Sequence, residues 1–189
     1  MLRSALLPAV GISFTLLALG VTAGDNRSRS FRAFAELVPT NEVPAVSSGA
    51  RGRFKATINR ANQTISYELR YEGLEEVPAQ AHIHLGQRHT NGGISVFLCG
   101  NAPTVPAATF PQPPACPVSP ATITGELTAA NIVGPAAQGI APSQGGVNEF
   151  DELVDAILSG DTYANVHSAK FPGGEIRGQV RTDERHGKR

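Results

Sequence analysis

Histidine is the residue type in this chain with the clearest potential for chemistry. His82 and His84 stand two positions apart in the segment AHIHL, residues 81–85. If this segment is a β-strand, both imidazoles lie on one face, and two neighbouring neutral imidazoles form half of a copper or zinc site. His167 ends a second strand-like segment, residues 163–167, and becomes a third ligand if the two strands are neighbours.

Other polar residues near these segments are candidates for supporting roles. His89 lies in a turn that follows the first histidine pair and is a candidate fourth ligand. Ligating imidazoles usually hydrogen-bond a further group that orients them. The residues that we predict for this supporting role are Asn165, Glu175 and Arg177. Three neutral nitrogens leave an open coordination position, which favours Cu(II) or a zinc site of the catalytic type. The alternative is that the histidines bind no metal and either belong to a solvated strand face or hydrogen-bond backbone groups of adjacent loops.

The cysteine pair predicts a disulfide if the chain is exported. Cys99 and Cys116 are the two cysteines of the chain, and the segment between them is rich in proline. In an oxidising compartment an even pair predicts a disulfide, and a thiolate metal site is the alternative.

Period-two alternation of apolar and polar residues dominates the region that must position these side chains. Such alternation is typical of strands with one buried face, and frequent Gly, Pro and Asn residues separate the segments. We therefore predict an all-β fold, an antiparallel Greek-key sandwich of about eight strands. The predicted strands are residues 31–38, 53–58, 65–71, 80–85, 94–98, 121–127, 163–167 and 175–180.

One segment has a helical period instead. Its apolar residues recur three and four positions apart, which predicts one short helix over residues 150–158. Asn148 is the predicted cap of its start, and Gly160 is predicted to take the left-handed conformation just past its end.

The beginning of the chain resembles an export signal. Arg3 precedes an apolar run, and small residues at Val21 to Ala23 predict cleavage after Ala23. An uncleaved membrane anchor is the alternative, although the run is short for a span. We predict a signal peptide (1–23), a linker (24–30), one domain (31–181) and a disordered tail (182–189). With 16 basic and 16 acidic residues, the chain offers no positive field for nucleic acid or an anionic membrane.

Three motifs in order resemble those of the CHRD (chordin-domain) family. The segments FRAFAEL (31–37) and NEVPA (41–45) are similar to the opening of such a domain, and AHIHLG (81–86) with NGGISV (91–96) resembles its central motif. The segments DTYANVHS (161–168) and PGGEIRG (172–178) are similar to its closing signature. The central motif also looks like the copper-binding strand of Cu/Zn superoxide dismutases, which share a Greek-key sandwich.

The resemblance implies a secreted or periplasmic binding module, and the histidines predict that it binds copper or zinc through His82, His84 and His167. Two alternatives stay open. One is a non-catalytic domain that interacts with an extracellular protein or matrix component and binds no metal, as the family's namesake implies. The other is a copper redox enzyme of the dismutase type, in which Arg177 guides an anion. Bound metal separates the first alternative from the others, and consumption of superoxide identifies the second.

Overall fold

Alternating apolar and polar residues form two antiparallel sheets that enclose one core, so the predicted all-β sandwich is confirmed. A computed structural model describes residues 30–101, 103, 105, 106, 111–143 and 148–183. The predicted signal peptide, residues 24–29 of the predicted linker and residues 184–189 of the predicted tail lie outside the described residues. Nine strands occur in the described part of the chain: β1 (Ser30–Leu37), β2 (Arg51–Asn59), β3 (Thr64–Glu72), β4 (Pro78–Leu85), β5 (Gly93–Gly100), β6 (Ala121–Leu127), β7 (Thr162–Ser168), β8 (Ile176–Gln179) and β9 (Arg181–Thr182).

Strand order shows the Greek-key connection. The five-stranded sheet has the order β6-β3-β2-β1-β9, so the last strand, β9, lies beside the first of three consecutive strands, which is the Greek-key order. The four-stranded sheet has the order β5-β4-β7-β8. The first and last strands reach Ser30 and Thr182, each one residue beyond the predicted domain of residues 31–181.

A backbone bridge joins the end of β1 to the other sheet. Val38 donates its N–H to the carbonyl of Arg177 at 3.1 Å and accepts the Arg177 N–H at 3.2 Å. This bridge turns the following segment, residues 39–46, toward the outer face of the four-stranded sheet, where the Asn41 side chain donates to the Arg177 carbonyl at 3.2 Å.

The predicted helix is present as α1 (Phe150–Ser159). Its buried residues are Phe150, Leu153, Val154 and Ile157, which join the core as the helical period requires. Gly160 takes the left-handed conformation at the end of the helix, with φ 77°. The Asn148 side chain accepts the N–H of Phe150 at 3.1 Å, although the residue directly before the helix is Glu149. Within the described residues, no helix has the length and apolar character that crossing a membrane requires.

The predicted disulfide is confirmed. Cys99 near the end of β5 is bonded to Cys116, with the two Cα atoms 5.0 Å apart. Cys116 precedes β6, so the bond links the edge strand of the four-stranded sheet to the segment that leads into the edge strand of the five-stranded sheet.

Candidate metal centre

The central strands of the four-stranded sheet bring the histidines together. β4 pairs with β7 so that His82 lies opposite Asn165 and His84 opposite Tyr163. His167 lies opposite Gln80, which places its side chain diagonally next to that of His82 on the same face. The face is the one opposite the core, because Ala81 and Ile83 between the histidines are core residues.

Three imidazoles converge on this face. One ligand atom from each of His82, His84 and His167 lies within 4.8 Å of the others. The Nδ1 atom of His82 is 3.3 Å from the Nε2 atom of His167, within the separation expected for two nitrogens bound to one metal ion. We call these three residues the histidine triad.

Backbone carbonyls orient two of the rings. The Nδ1 atom of His84 is 2.9 Å from the carbonyl oxygen of Gly92, and the Nδ1 atom of His167 is 2.8 Å from that of Pro172. Because a carbonyl oxygen only accepts hydrogen bonds, each Nδ1 carries the proton and each Nε2 keeps a free lone pair. This is the tautomer that a metal ligand needs.

Hydrogen bonds from the histidines to backbone groups of adjacent loops were one of the alternatives, but the particular carbonyls were not predicted, because a backbone atom has no signature in the sequence. The glycine pair in the NGG turn was the available signal. A Cβ on Gly92 would overlap the carbonyl group of Leu85, so the turn can approach the strand this closely only with glycine.

Burial of the triad differs from the solvated strand face that we considered. His82 is 0% exposed, His84 8% and His167 6%. The Phe97 ring packs edge-on against His82, with the ring centroids 4.6 Å apart. The Nε2 atoms of both His82 and His84 are buried without a hydrogen-bond partner. A buried polar atom without a partner costs free energy, so these atoms need an explanation.

The same burial keeps the imidazoles uncharged. Burial, together with the charges of His167 and His84, lowers the pKa of His82 to about 2. Burial also lowers the pKa of His84 to about 4 and shifts the pKa of His167 downward. An interaction with the Asn165 amide opposes the shift at His82 and His84. At neutral pH all three rings are therefore neutral, as metal binding requires.

Arg177 and Tyr163 form a stack beside the triad. The Tyr163 ring lies parallel to that of His84 at 4.6 Å, and the Arg177 guanidinium lies 3.3 Å from the Tyr163 ring centroid. The guanidinium donates to the carbonyls of Thr90 at 2.6 Å and Gln87 at 3.3 Å. Arg177 is only 2% exposed. Its guanidinium therefore stabilises the turn after β4 and does not present a free charge to guide an anion.

Glu42 is a site residue that the sequence analysis did not include. It is 7% exposed, and burial raises its pKa to about 7 although Arg177 and Asn165 lower it. Its Oε1 atom has no hydrogen-bond partner. Gly174, at φ 123°, passes so close to this carboxyl that a Cβ would collide with it. Asn165 interacts with Glu42 as well as with His82 and His84, so it connects the carboxyl to the triad.

Two predicted members of the site lie elsewhere. His89 is exposed in the turn, at φ 63°, and is not in the group whose ligand atoms converge. Glu175 is 0% exposed, but its Oε1 accepts the backbone N–H of Glu75 at 3.1 Å. That bond fixes the start of β4 rather than an imidazole.

The fold and the site together define an antiparallel β-sandwich with a buried cluster of three histidines. The chain matches the family model of the CHRD domain over residues 33–180 and therefore belongs to the CHRD family. Comparison with curated proteins and with solved structures gave no significant match.

Proposed function

We propose that this CHRD protein is a secreted binding module that holds one copper or zinc ion through His82, His84 and His167. The observation that carries the proposal is the convergence of three buried imidazoles within 4.8 Å. Imidazole nitrogens suit copper and zinc, and three of them leave room for no more than one or two further ligands.

The unpartnered Nε2 atom of His84 supports a metal role over a structural one. A histidine retained only for packing would leave its buried Nε2 atom at a cost of about 1–3 kcal/mol, which an apolar residue avoids. In the metal-free protein, a proton on His82 Nδ1 can bridge to His167 Nε2 across 3.3 Å. A metal ion would take the place of that proton between the two nitrogens, and the proton of the neutral His82 ring would move to its Nε2 atom. Asn165 is the supporting residue that we retain, since it contacts two of the three rings.

Secretion is part of the proposal and rests on three observations. The first 23 residues have the pattern of a cleaved signal peptide. The disulfide fits an oxidising compartment, and CHRD domains occur in extracellular proteins. Expression in a secreting host, followed by N-terminal sequencing, should recover mature protein that begins at Gly24. Protein that keeps its first residues would favour the membrane anchor.

Metal analysis tests the binding function. The purified protein is loaded separately with Cu(II), Cu(I) and Zn(II), dialysed against metal-free buffer and analysed for metal per chain. We expect about one ion per chain for wild type and for His89→Ala, a matched control that removes an exposed histidine. His84→Ala and His167→Ala should retain none, while circular dichroism shows that both variants are folded.

Two results would contradict the proposal. Stoichiometric metal in His167→Ala would place the ion elsewhere, and no stoichiometric metal in the wild type would leave the chain as a protein- or matrix-interaction domain. Superoxide consumption by the loaded wild type, lost in His84→Ala, would instead identify the redox enzyme.

A further inference from the structure

The net charge of the three ligands determines which metal ion the triad favours. All three ligand atoms belong to neutral imidazoles, and within the described residues the cluster contains no carboxylate. Glu42 is the buried acid near these rings, and its charge already faces that of Arg177. An ion bound by the triad therefore keeps its full charge.

Burial raises the free energy of the charged ion. The three histidines are between 0% and 8% exposed, so the ion loses most of its contact with water. The cost of moving an ion into a medium of low dielectric constant grows with the square of its charge, so a monovalent ion loses about a quarter of what a divalent ion loses. Neutral ligands without a counter-charge thus favour the lower oxidation state of copper.

Coordination number acts in the same direction. Zn(II) in a three-histidine site takes a fourth ligand such as water, and Cu(II) prefers a tetragonal set of at least four. In this site the Phe97 ring packs against His82 and the Tyr163 ring is stacked on His84, so apolar rings occupy two sides of the triad. Cu(I), a closed-shell ion, accepts three nitrogens without a further ligand.

We propose that the triad selects Cu(I) over Zn(II) and Cu(II). This inference rests on the proposed function, and it replaces the preference for Cu(II) or Zn(II) that the sequence indicated. The difference arises because the sequence suggested a solvated face with an open position, whereas the triad is buried.

Competition titrations test the selectivity. Metal-free protein is titrated without oxygen into the bicinchoninate complex of Cu(I), and separately with Zn(II) against a chromogenic zinc chelator. We expect one Cu(I) per chain and a dissociation constant about 100-fold or more below that for Zn(II). His89→Ala should behave as wild type, and His167→Ala should lose the Cu(I) affinity.

Zn(II) binding as tight as Cu(I) binding, with both lost in His167→Ala, would overturn the selectivity and leave the metal-binding function intact. If neither ion binds through the triad, both proposals fail.

A second variant tests the charge explanation directly. Asn165→Asp adds a carboxylate of nearly the same shape beside His82 and His84. A negative charge at this position should stabilise a divalent ion more than a monovalent one and reduce the preference for Cu(I) over Zn(II) about tenfold. An unchanged affinity ratio in a folded Asn165→Asp protein would show that charge does not set the selectivity.

Discussion

Both sheets of the sandwich carry polar residues on their outer faces, but the two faces meet different surroundings. In the five-stranded sheet, strand β2 alternates buried and exposed residues, and Arg51 and Arg53 form ion pairs with Glu72 and Glu36 in solvent. In the four-stranded sheet, all seven residues of β7 are buried, although its sequence alternates in the same way.

Loops that cover the outer face make the difference. Segments 39–46 and 86–92 lie over the outer face of the four-stranded sheet, and the Asn91 side chain ties them together by donating to the Val43 carbonyl at 3.0 Å. The Arg177 guanidinium donates three hydrogen bonds to the second loop, to the Asn91 side chain and to the carbonyls of Gln87 and Thr90. Enclosing polar residues in this way costs free energy that a solvated face does not. This cost fits the metal-binding function that we propose for the histidine triad.

The disulfide links the four-stranded sheet to the segment that leads into the five-stranded sheet, and removing it should have the greatest effect on stability. The double variant Cys99→Ala/Cys116→Ala frees a loop with a sequence separation of 17 residues. We expect the free energy of unfolding to fall by about 3 kcal/mol through the gain in entropy of the unfolded chain. Urea denaturation of the variant and the wild type measures this loss. A change below about 1 kcal/mol would show that the sheets hold together without the bond.

Matched alanine substitutions compare the two outer faces. His82→Ala removes a fully buried ring from the four-stranded sheet, whereas Lys55→Ala removes an exposed side chain from the five-stranded sheet. The first should lower the free energy of unfolding of the metal-free protein by about 2 kcal/mol, because it leaves a cavity beside Phe97. The second should change it by less than about 0.5 kcal/mol. Equal losses in urea denaturation would mean that His82 is solvated, as a polar strand face would suggest.

Acidification should weaken the buried face of the metal-free protein. The folded-state pKa values of His82 and His84 are about 2 and 4, against 6.5 in the unfolded chain. Below pH 6.5 the unfolded chain therefore binds protons that the native state does not. The free energy of unfolding should then fall by about 1.4 kcal/mol per pH unit for each histidine.

Glu42 works in the opposite direction. Its folded-state pKa is about 7, against 4.5 when unfolded, so between these values the native state binds the extra proton. Its contribution to stability is present below pH 4.5 and is lost as the pH rises through 7. Glu42→Gln should therefore steepen the fall in stability between pH 6.5 and 4.5 by about 1.4 kcal/mol per pH unit. Urea denaturation at several pH values, with a chelator present, gives both slopes, and parallel curves would contradict the assignment.

The exposed ion pairs of the five-stranded sheet should matter least. The Arg51 and Glu72 side chains are 71% and 49% exposed. Arg51→Ala should therefore lower the free energy of unfolding by less than about 0.5 kcal/mol, and added salt should reduce even that difference. A loss above about 1 kcal/mol in low-salt urea denaturation would show that this face also depends on fixed polar contacts.

Local features of the chain were predictable from its residues. Strand positions followed from the period of two, α1 followed from the period of 3.6, and Gly160 ended the helix as expected. His82 and His84 share a face because side chains two apart on a strand always do. The disulfide followed from the pairing of two cysteines in a chain that was predicted to be exported. In each case the physical cause acts between residues that are close in sequence or few in number.

Long-range contacts determined the rest. The pairing of β4 with β7 places His167 beside His82 across 85 positions of sequence, and no local pattern encodes that register. Burial of the triad depends on loops that fold over the sheet, and the ring orientations depend on the carbonyls of Gly92 and Pro172. His89, although near the triad in sequence, stays exposed in its turn. Alternation along a strand reports which face a residue occupies, but it carries no information about what covers that face, because the covering segments come from elsewhere in the chain.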